Sequence, residues 1–191
     1  MNDDVYQVQF ALRGIVPRIW RRLLIPSGLL LRDFHKIIQS AMGWENRLEH
    51  RFIRCYPSFF MKIDPDDFWY TMAVSSLLEE EGEKMVYEYD YTDQWKHDII
   101  LEKILPAGRH HSVPTCLAGA RNCPPEGCGG AQGYTSLLAI LTNPFHALYD
   151  DVMLRTHRDF DPCFFEKDFV NLLFQQDDYG CADLSGRGFE D

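Results

Sequence analysis

Met85-Val86-Tyr87-Glu88-Tyr89-Asp90-Tyr91-Thr92-Asp93-Gln94-Trp95-Lys96-His97-Asp98-Ile99-Ile100-Leu101 is the stretch on which the fold turns. Met85, Tyr87, Tyr89 and Tyr91 alternate with Val86, Glu88 and Asp90. After Thr92-Asp93-Gln94 the alternation resumes with Trp95, His97, Ile99 and Leu101. A period of two places each set on one face of a strand, so the segment reads as a hairpin with one aromatic, buried face. Such a face needs further strands beside it and a helix on top of it.

Both are found toward the N-terminus. Over residues 5–13, Tyr6, Val8, Phe10 and Leu12 alternate with Gln7, Gln9 and Arg13, and residues 19–25 form a second strand after the break at Gly14 and Pro17. Phe34, Ile37, Ile38, Ala41 and Met42 then recur at helical spacing until Gly43, which predicts an amphipathic helix. Hairpin followed by helix resembles the opening of a ubiquitin-like, or β-grasp, arrangement. Residues 50–56 read as another strand, 57–67 as a loop rich in turn residues and aromatics, and 75–78 as a short helical stretch.

Toward the C-terminus, residues 106–133 carry four prolines and three cysteines and read as a long loop. The part from 135 to 176 reads as helical. Thr135 is placed to cap a helix over 136–141, a second covers 145–156, and a third shows Phe165, Phe169, Leu172 and Leu173 on one face. The expectation is one domain over 1–191, of α+β class. It combines a mixed sheet, an N-terminal β-hairpin plus helix, a central aromatic hairpin and a C-terminal group of helices.

The 191 residues hold 19 Lys+Arg against 29 Asp+Glu, a net charge of −10. No apolar run approaches the ~20 residues needed to cross a bilayer, so no membrane is expected. The acidic start Met1-Asn2-Asp3-Asp4 lacks the basic region of a secretory signal, which points to a cytoplasmic chain with reduced thiols. Charge is segregated: residues 1–60 hold nine bases and five acids, whereas from Asp159 onward nine acids face two bases. Either the halves pair, or the basic part meets an anionic partner while net charge repels DNA at long range.

Three constellations could carry chemistry. Cys116, Cys123 and Cys128 could supply thiolates to zinc, with His97, His110 or His111 as the fourth ligand. The alternative is three reduced thiols packed as small hydrophobes. Asp93, Trp95 and His97 share a strand face, so a carboxylate could orient an imidazole as a general base, or simply serve the turn. Arg18, Arg21 and Arg22 with Trp20, His35 and Trp44 could bind phosphate or single strands, or pair with acids such as those after Asp159.

Several phrases together resemble the plasmid pRiA ORF-three-like family, whose members are also labelled insertion-element passenger proteins of resolvase type. They are Pro17-x-Ile19-Trp20-Arg21-Arg22, then Leu31-x-x-Phe34-His35 leading to Ala41-Met42-Gly43-Trp44, and Tyr87-Glu88-Tyr89-Asp90-Tyr91 running into Asp93-x-Trp95-x-His97. Cys116-Leu117-x-Gly119-x-x-x-Cys123-Pro124-Pro125-Glu126-x-Cys128-Gly129-Gly130 joins them, and the likeness runs from about Tyr6 to Leu173. It implies an α+β fold, a mobile-element context and no established reaction. Thr92 stands where the family has Gly, and Leu30 where it has a capping residue. A recombinase is disfavoured, because Ser27 is a weak match to an activated serine and the C-terminal third is acidic.

The expected function is therefore a non-enzymatic module that binds a protein or nucleic-acid partner, with Asp93, Trp95, His97, Arg21, Arg22, Trp20, Trp44 and Glu126 as the functional cluster. The alternatives are a metal-stabilised enzyme with its site between the 93–97 hairpin end and the 116–128 loop, and a DNA-processing accessory factor. Zinc is the single cofactor considered.

Overall fold

Alternating β1 (Val5–Leu12) lies between two partners, β2 (Trp20–Pro26) on one side and β6 (Trp95–Leu105) on the other. β6 continues to β5 (Lys84–Tyr89), β3 (His50–Cys55) and β4 (Phe60–Ile63), while β2 continues to β7 (Thr115–Ala120). The computed structural model describes residues 4–106, 113–156 and 160–181. The order is β4-β3-β5-β6-β1-β2-β7, and every pairing is antiparallel. The sheet is thus not mixed, and the likeness to a β-grasp opening rests on the hairpin and helix alone.

The central hairpin pairs Tyr89 with Trp95, Tyr87 with His97 and Met85 with Ile99, so large side chains of both strands meet on the covered face. Asp90 and Gln94 take the positive φ angles of the turn, 56° and 54°. Thr92 therefore needs none of glycine's freedom. Tyr91 lies beyond the strand: its hydroxyl donates to Asp64 Oδ1 (2.8 Å), and Arg51 sits 4.3 Å above its ring. It does not share the buried face of Tyr87 and Tyr89.

α1 (Leu31–Met42) covers that face, with Phe34, Ile37, Ile38, Ala41 and Met42 buried. Leu30 offers no side-chain cap, and Gly43 ends the helix in the left-handed conformation, φ 82°. The Phe34 ring stacks on Phe52 of β3 at 5.9 Å. Full burial of each such side chain contributes about 1.5–3 kcal/mol, so this face holds the core.

The opposite face is polar and self-paired. Glu102 accepts from Arg22 Nε (2.6 Å) and Nη2 (2.8 Å), from Gln7 (2.7 Å) and from Gln9 (3.0 Å). Arg51 donates to Glu88 (2.6 Å), and Arg13 and Arg54 pair with Asp98 and Glu83. The basic N-terminal third thus finds its acids on β5, β6 and the turn before β5. Among the described residues only Lys36, paired with Asp178, reaches the acidic C-terminal part, contrary to the expectation for the arginines.

Further differences concern the segments outside the central sheet and α1. Residues 106–133 are not one loop, since β7 and the start of α2 (Gly130–Leu141) lie within them, and residues 57–67 contain β4. Thr135 is inside α2, where its hydroxyl donates back to Ala131 O (2.8 Å), and so caps nothing. α3 spans Tyr149–Arg155. α4 (Lys167–Leu173) turns Val170 inward and leaves Phe169 and Leu172 exposed, because it is docked by Asn171. That side chain accepts from Cys116 N–H (2.7 Å) and donates to Cys116 O (3.1 Å), closing the β7 edge.

Candidate functional site

Trp44 follows the left-handed residue that ends α1, and that turn drops its indole onto the aromatic face of β5 and β6. The ring stacks on Tyr89 (4.8 Å, 23°), leans on Trp95 (6.2 Å) and meets His97 edge-on (5.2 Å, 81°). Its Nε1 donates to Pro124 O (3.0 Å), which ties the 121–129 loop to the core. Glu126 Oε1 then accepts from the Tyr89 hydroxyl (2.7 Å) and from Glu45 N–H (3.1 Å). At the far end Asp93 Oδ2 accepts Gly129 N–H (3.0 Å). Apolar rings, one carboxylate and one turn aspartate thus hold the loop in place.

Beside this loop lies a cleft of about 390 Å³, lined among others by Trp44, Arg47, Cys123, Glu126, Arg155 and Phe160. The hairpin end meets the cysteine loop at Asp93 and Gly129, outside this cleft, and the two do not form a catalytic pair. Asp93 is engaged with Gly129, and His97 is fully buried with neither ring nitrogen in a good hydrogen bond. Loss of hydration pushes the His97 pKa down to about 3, so the imidazole stays neutral.

The model of the "Plasmid pRiA4b ORF-3-like protein" family matches residues 4–168. The chain belongs to this family. Among its relatives, the uncharacterized protein y4hQ of Sinorhizobium fredii (strain NBRC 101917 / NGR234) is 29% identical over 161 residues, covering 80% of this chain and 81% of that protein. The crystal structure of MM3350, a protein of unknown function from Methanosarcina mazei Go1, is 33% identical. It superposes with a TM-score of 0.80 over 88% of this chain and 98% of that one.

In this ORF-3-like chain the remaining predicted site residues part company. Arg21 faces the core, where Nε donates to Ala41 O (2.8 Å), Nη1 to Trp20 O (2.9 Å) and Ala120 O (3.0 Å), and Nη2 to Arg121 O (3.0 Å). Phe165 lies under its guanidinium at 4.0 Å. Arg22 lies on the opposite face, with its guanidinium 5.4 Å from the Trp20 ring and hydrogen-bonded to Glu102. Alternation along β2 therefore splits the arginine-tryptophan cluster between two sides of the sheet.

The thiols are equally separate. Cys116 is a β7 residue, and burial lifts its pKa to about 11; burial also raises the Cys123 thiol well above its ordinary value, and Cys128 is lifted to about 12. Among the described residues no three His, Cys, Asp or Glu side chains converge to hold a metal. His110 and His111 lie outside the described residues.

Sequence reasoning missed a second polar cluster. His35 Nε2 donates to Asn46 Oδ1 (2.8 Å), while Nδ1 accepts from the Tyr87 hydroxyl (2.8 Å), which itself accepts from Gln39 Nε2 (2.8 Å). His50 stacks on His35 at 3.5 Å with the rings 5° from parallel, and bonds Tyr70 (2.7 Å). The available signal was His35 and Gln39, four residues apart on the apolar face of α1.

The loop's glycines permit a direct test. A Cβ on Gly133 would fall 1.9 Å from the Cys128 carbonyl oxygen, whereas one on Gly28 meets nothing within 4 Å. Gly133→Ala is expected to destabilise by about 3 kcal/mol, and Gly28→Ala by no more than about 0.5 kcal/mol. Urea unfolding followed by tryptophan fluorescence measures both, and equal effects would overturn the account of the loop.

Proposed function

We propose that this protein is a non-enzymatic, protein-binding module whose contact surface is the α2–α3 arm. The observation that carries the reading is apolar exposure. Phe145 between the helices is 96% exposed, Leu148 and Leu154 are exposed, and Leu137, Leu138, Ile140 and Leu141 are only partly buried. An apolar cleft of about 300 Å³ opens between α2, α3 and residues 125–128, lined by Cys128, Leu137, Ile140 and Val152. Exposed apolar surface of this kind is commonly a contact site.

Charge selects the partner. The described residues from Gly130 to Cys181 carry seven carboxylates against Arg155 and Lys167. The fitting occupant is a protein helix with an apolar stripe flanked by Lys or Arg. Two facts weigh against the other readings. Arg13, Arg22, Arg51 and Arg54 are already engaged with carboxylates and Arg21 with backbone carbonyls, which leaves little for DNA. A base at the hairpin end would have to be His97, which is fully buried and, with its pKa drawn down to about 3 by loss of hydration, too weak a base to take up a proton near neutral pH.

The test uses a labelled amphipathic Leu/Lys helical peptide, a Ser/Lys peptide of equal charge and a short DNA duplex, each titrated with the protein by fluorescence anisotropy. The Leu/Lys peptide is expected to bind, and the double variant Phe145→Glu, Leu154→Glu to weaken it at least about tenfold, or 1.4 kcal/mol. Undiminished binding to the variant, equal binding of the Ser/Lys peptide, or preference for the duplex would each overturn the proposal.

A further inference from the structure

The two edges of the sheet are treated differently. β7 is closed by Asn171, whose side chain bonds both the N–H and the C=O of Cys116. β4 ends the sheet on the other side with no strand beyond it among the described residues. It carries Phe60, 72% exposed, and Lys62, also exposed, while Phe59 precedes it and Phe68 and Trp69 follow, all exposed. Met61 and Ile63 turn the other way and pack with the core.

The ladder fixes which backbone groups are free. Tyr56 N–H donates to Phe59 O (2.9 Å), and the same register pairs Cys55 with Phe60, Arg54 with Met61, Ile53 with Lys62 and Phe52 with Ile63. Antiparallel pairs alternate between hydrogen-bonded and non-hydrogen-bonded. Phe59, Met61 and Ile63 therefore direct their N–H and C=O toward β3, and Phe60 and Lys62 direct theirs outward.

We propose that β4 pairs antiparallel with β4 of a second copy of this chain, with Met61 on the two-fold axis and Phe60 opposite the partner's Lys62. The axis must run perpendicular to the sheet, so facing residues share a side, and three registers centre on the outward-facing part of β4: Phe60, Met61 or Lys62. With Phe60 at the centre, the outer hydrogen bonds would fall to Ser58, which lies in the bend between β3 and β4 and not in a strand. With Met61 at the centre, the N–H and C=O of Phe60 and Lys62 form four hydrogen bonds with their counterparts. Each lysine ammonium then comes over a phenylalanine ring, a cation–π contact made twice by symmetry. With Lys62 at the centre, two ammonium groups would face each other, which is destabilising. That register would also call on Asp64 N–H, which already donates to Asp67 Oδ2 (2.8 Å). The edge is thus self-complementary in one register, which favours a second copy over a strand of another protein.

Sedimentation velocity over a concentration series tests this. The wild-type chain is expected to form a dimer. Phe60→Lys, which sets lysine against lysine, is expected to weaken it at least tenfold. Phe60→Arg combined with Lys62→Glu is expected to restore it by placing opposite charges face to face. Lys62→Pro removes an outward N–H without touching the β3 ladder and serves as the second disrupting variant, with circular dichroism confirming the fold of each. A wild-type monomer up to about 1 mM would mean that Lys62 blunts the edge instead. A dimer indifferent to both Phe60→Lys and Lys62→Pro would place self-association on another surface. Either result overturns the proposal.

Discussion

Lowering the pH from 7.5 to 5 is expected to remove about 6 kcal/mol of unfolding free energy, at about 1.4 kcal/mol per pKa unit for three histidines. Burial pushes the pKa of His35 to about 3, of His50 to about 4 and of His97 to about 3, from an ordinary value of 6.5. The stacked His50 reinforces the shift of His35. A folded-state pKa below the unfolded one means that the unfolded chain binds more protons between these values. Stability is therefore fully present above pH 6.5 and is lost as pH falls toward 4. Glu102, held below the ordinary carboxylate range by its hydrogen bonds from Arg22, adds a loss only below pH 4.5. Since small domains have about 5–15 kcal/mol in total, acid unfolding should fall near pH 5 with uptake of about three protons.

His97→Leu should shift that transition to lower pH and reduce the uptake by one proton, worth about 2 kcal/mol at pH 5. The ring sits against Phe10, Trp44 and Tyr87, so leucine suits the site, and two unsatisfied nitrogens disappear. NMR titration of the imidazoles checks the premise. Rings of the folded chain that titrate near 6.5 would refute it.

Arg21→Lys is expected to cost about 3–5 kcal/mol, with a fall in Tm of about 10 °C. A lysine has no planar fork, and its single ammonium cannot serve the carbonyls of Ala41, Trp20, Ala120 and Arg121 together. Each buried carbonyl left without a donor costs about 1–3 kcal/mol. These carbonyls belong to the last turn of α1, to β2 and to the end of β7, so one guanidinium joins three elements without a carboxylate partner. Burial draws its pKa down to about 10, and it remains charged at neutral pH. The neighbouring Arg22→Met removes a half-exposed pair with Glu102 and should cost no more than about 1 kcal/mol. Urea unfolding of the two variants decides the matter, and equal losses would show that the face of β2 is irrelevant.

Much of the fold was legible where large apolar residues alternate or recur. β1, β2, β3 and β5 lie within a residue or two of their predicted bounds, while α1 starts three residues before Phe34 and β6 runs four residues past Leu101. A turn at 92–94 would pair Tyr89 with His97, whereas the wider turn from Asp90 to Gln94 pairs Tyr87 with His97. β4 and β7 were not legible. β7 is Thr-Cys-Leu-Ala-Gly-Ala, with no bulky alternation. It is a strand because β2 pairs with it and because Gly119 leaves room for Phe165 and Arg21. α4 was read on the wrong face, since Asn171 rather than an apolar stripe docks it.

The candidate site divides in the same way. Trp44, Trp95, His97 and Glu126 do gather, with Asp93 at the edge of the same loop, whereas Arg22 and Trp20 lie across the sheet from Arg21. By itself the sequence determined the α+β class, the central hairpin and the family. Those follow from local periodicity and from phrases of consecutive residues, which a linear chain carries directly. Tertiary structure alone decided that Asp93 serves Gly129 instead of His97, and that Arg21 takes four carbonyls while Arg22 takes a carboxylate. It also decided that the cysteine loop is held by an indole and a glutamate. Each of these depends on which groups lose their water and what stands within 3 Å once they have lost it, and such distances arise between residues remote in the chain.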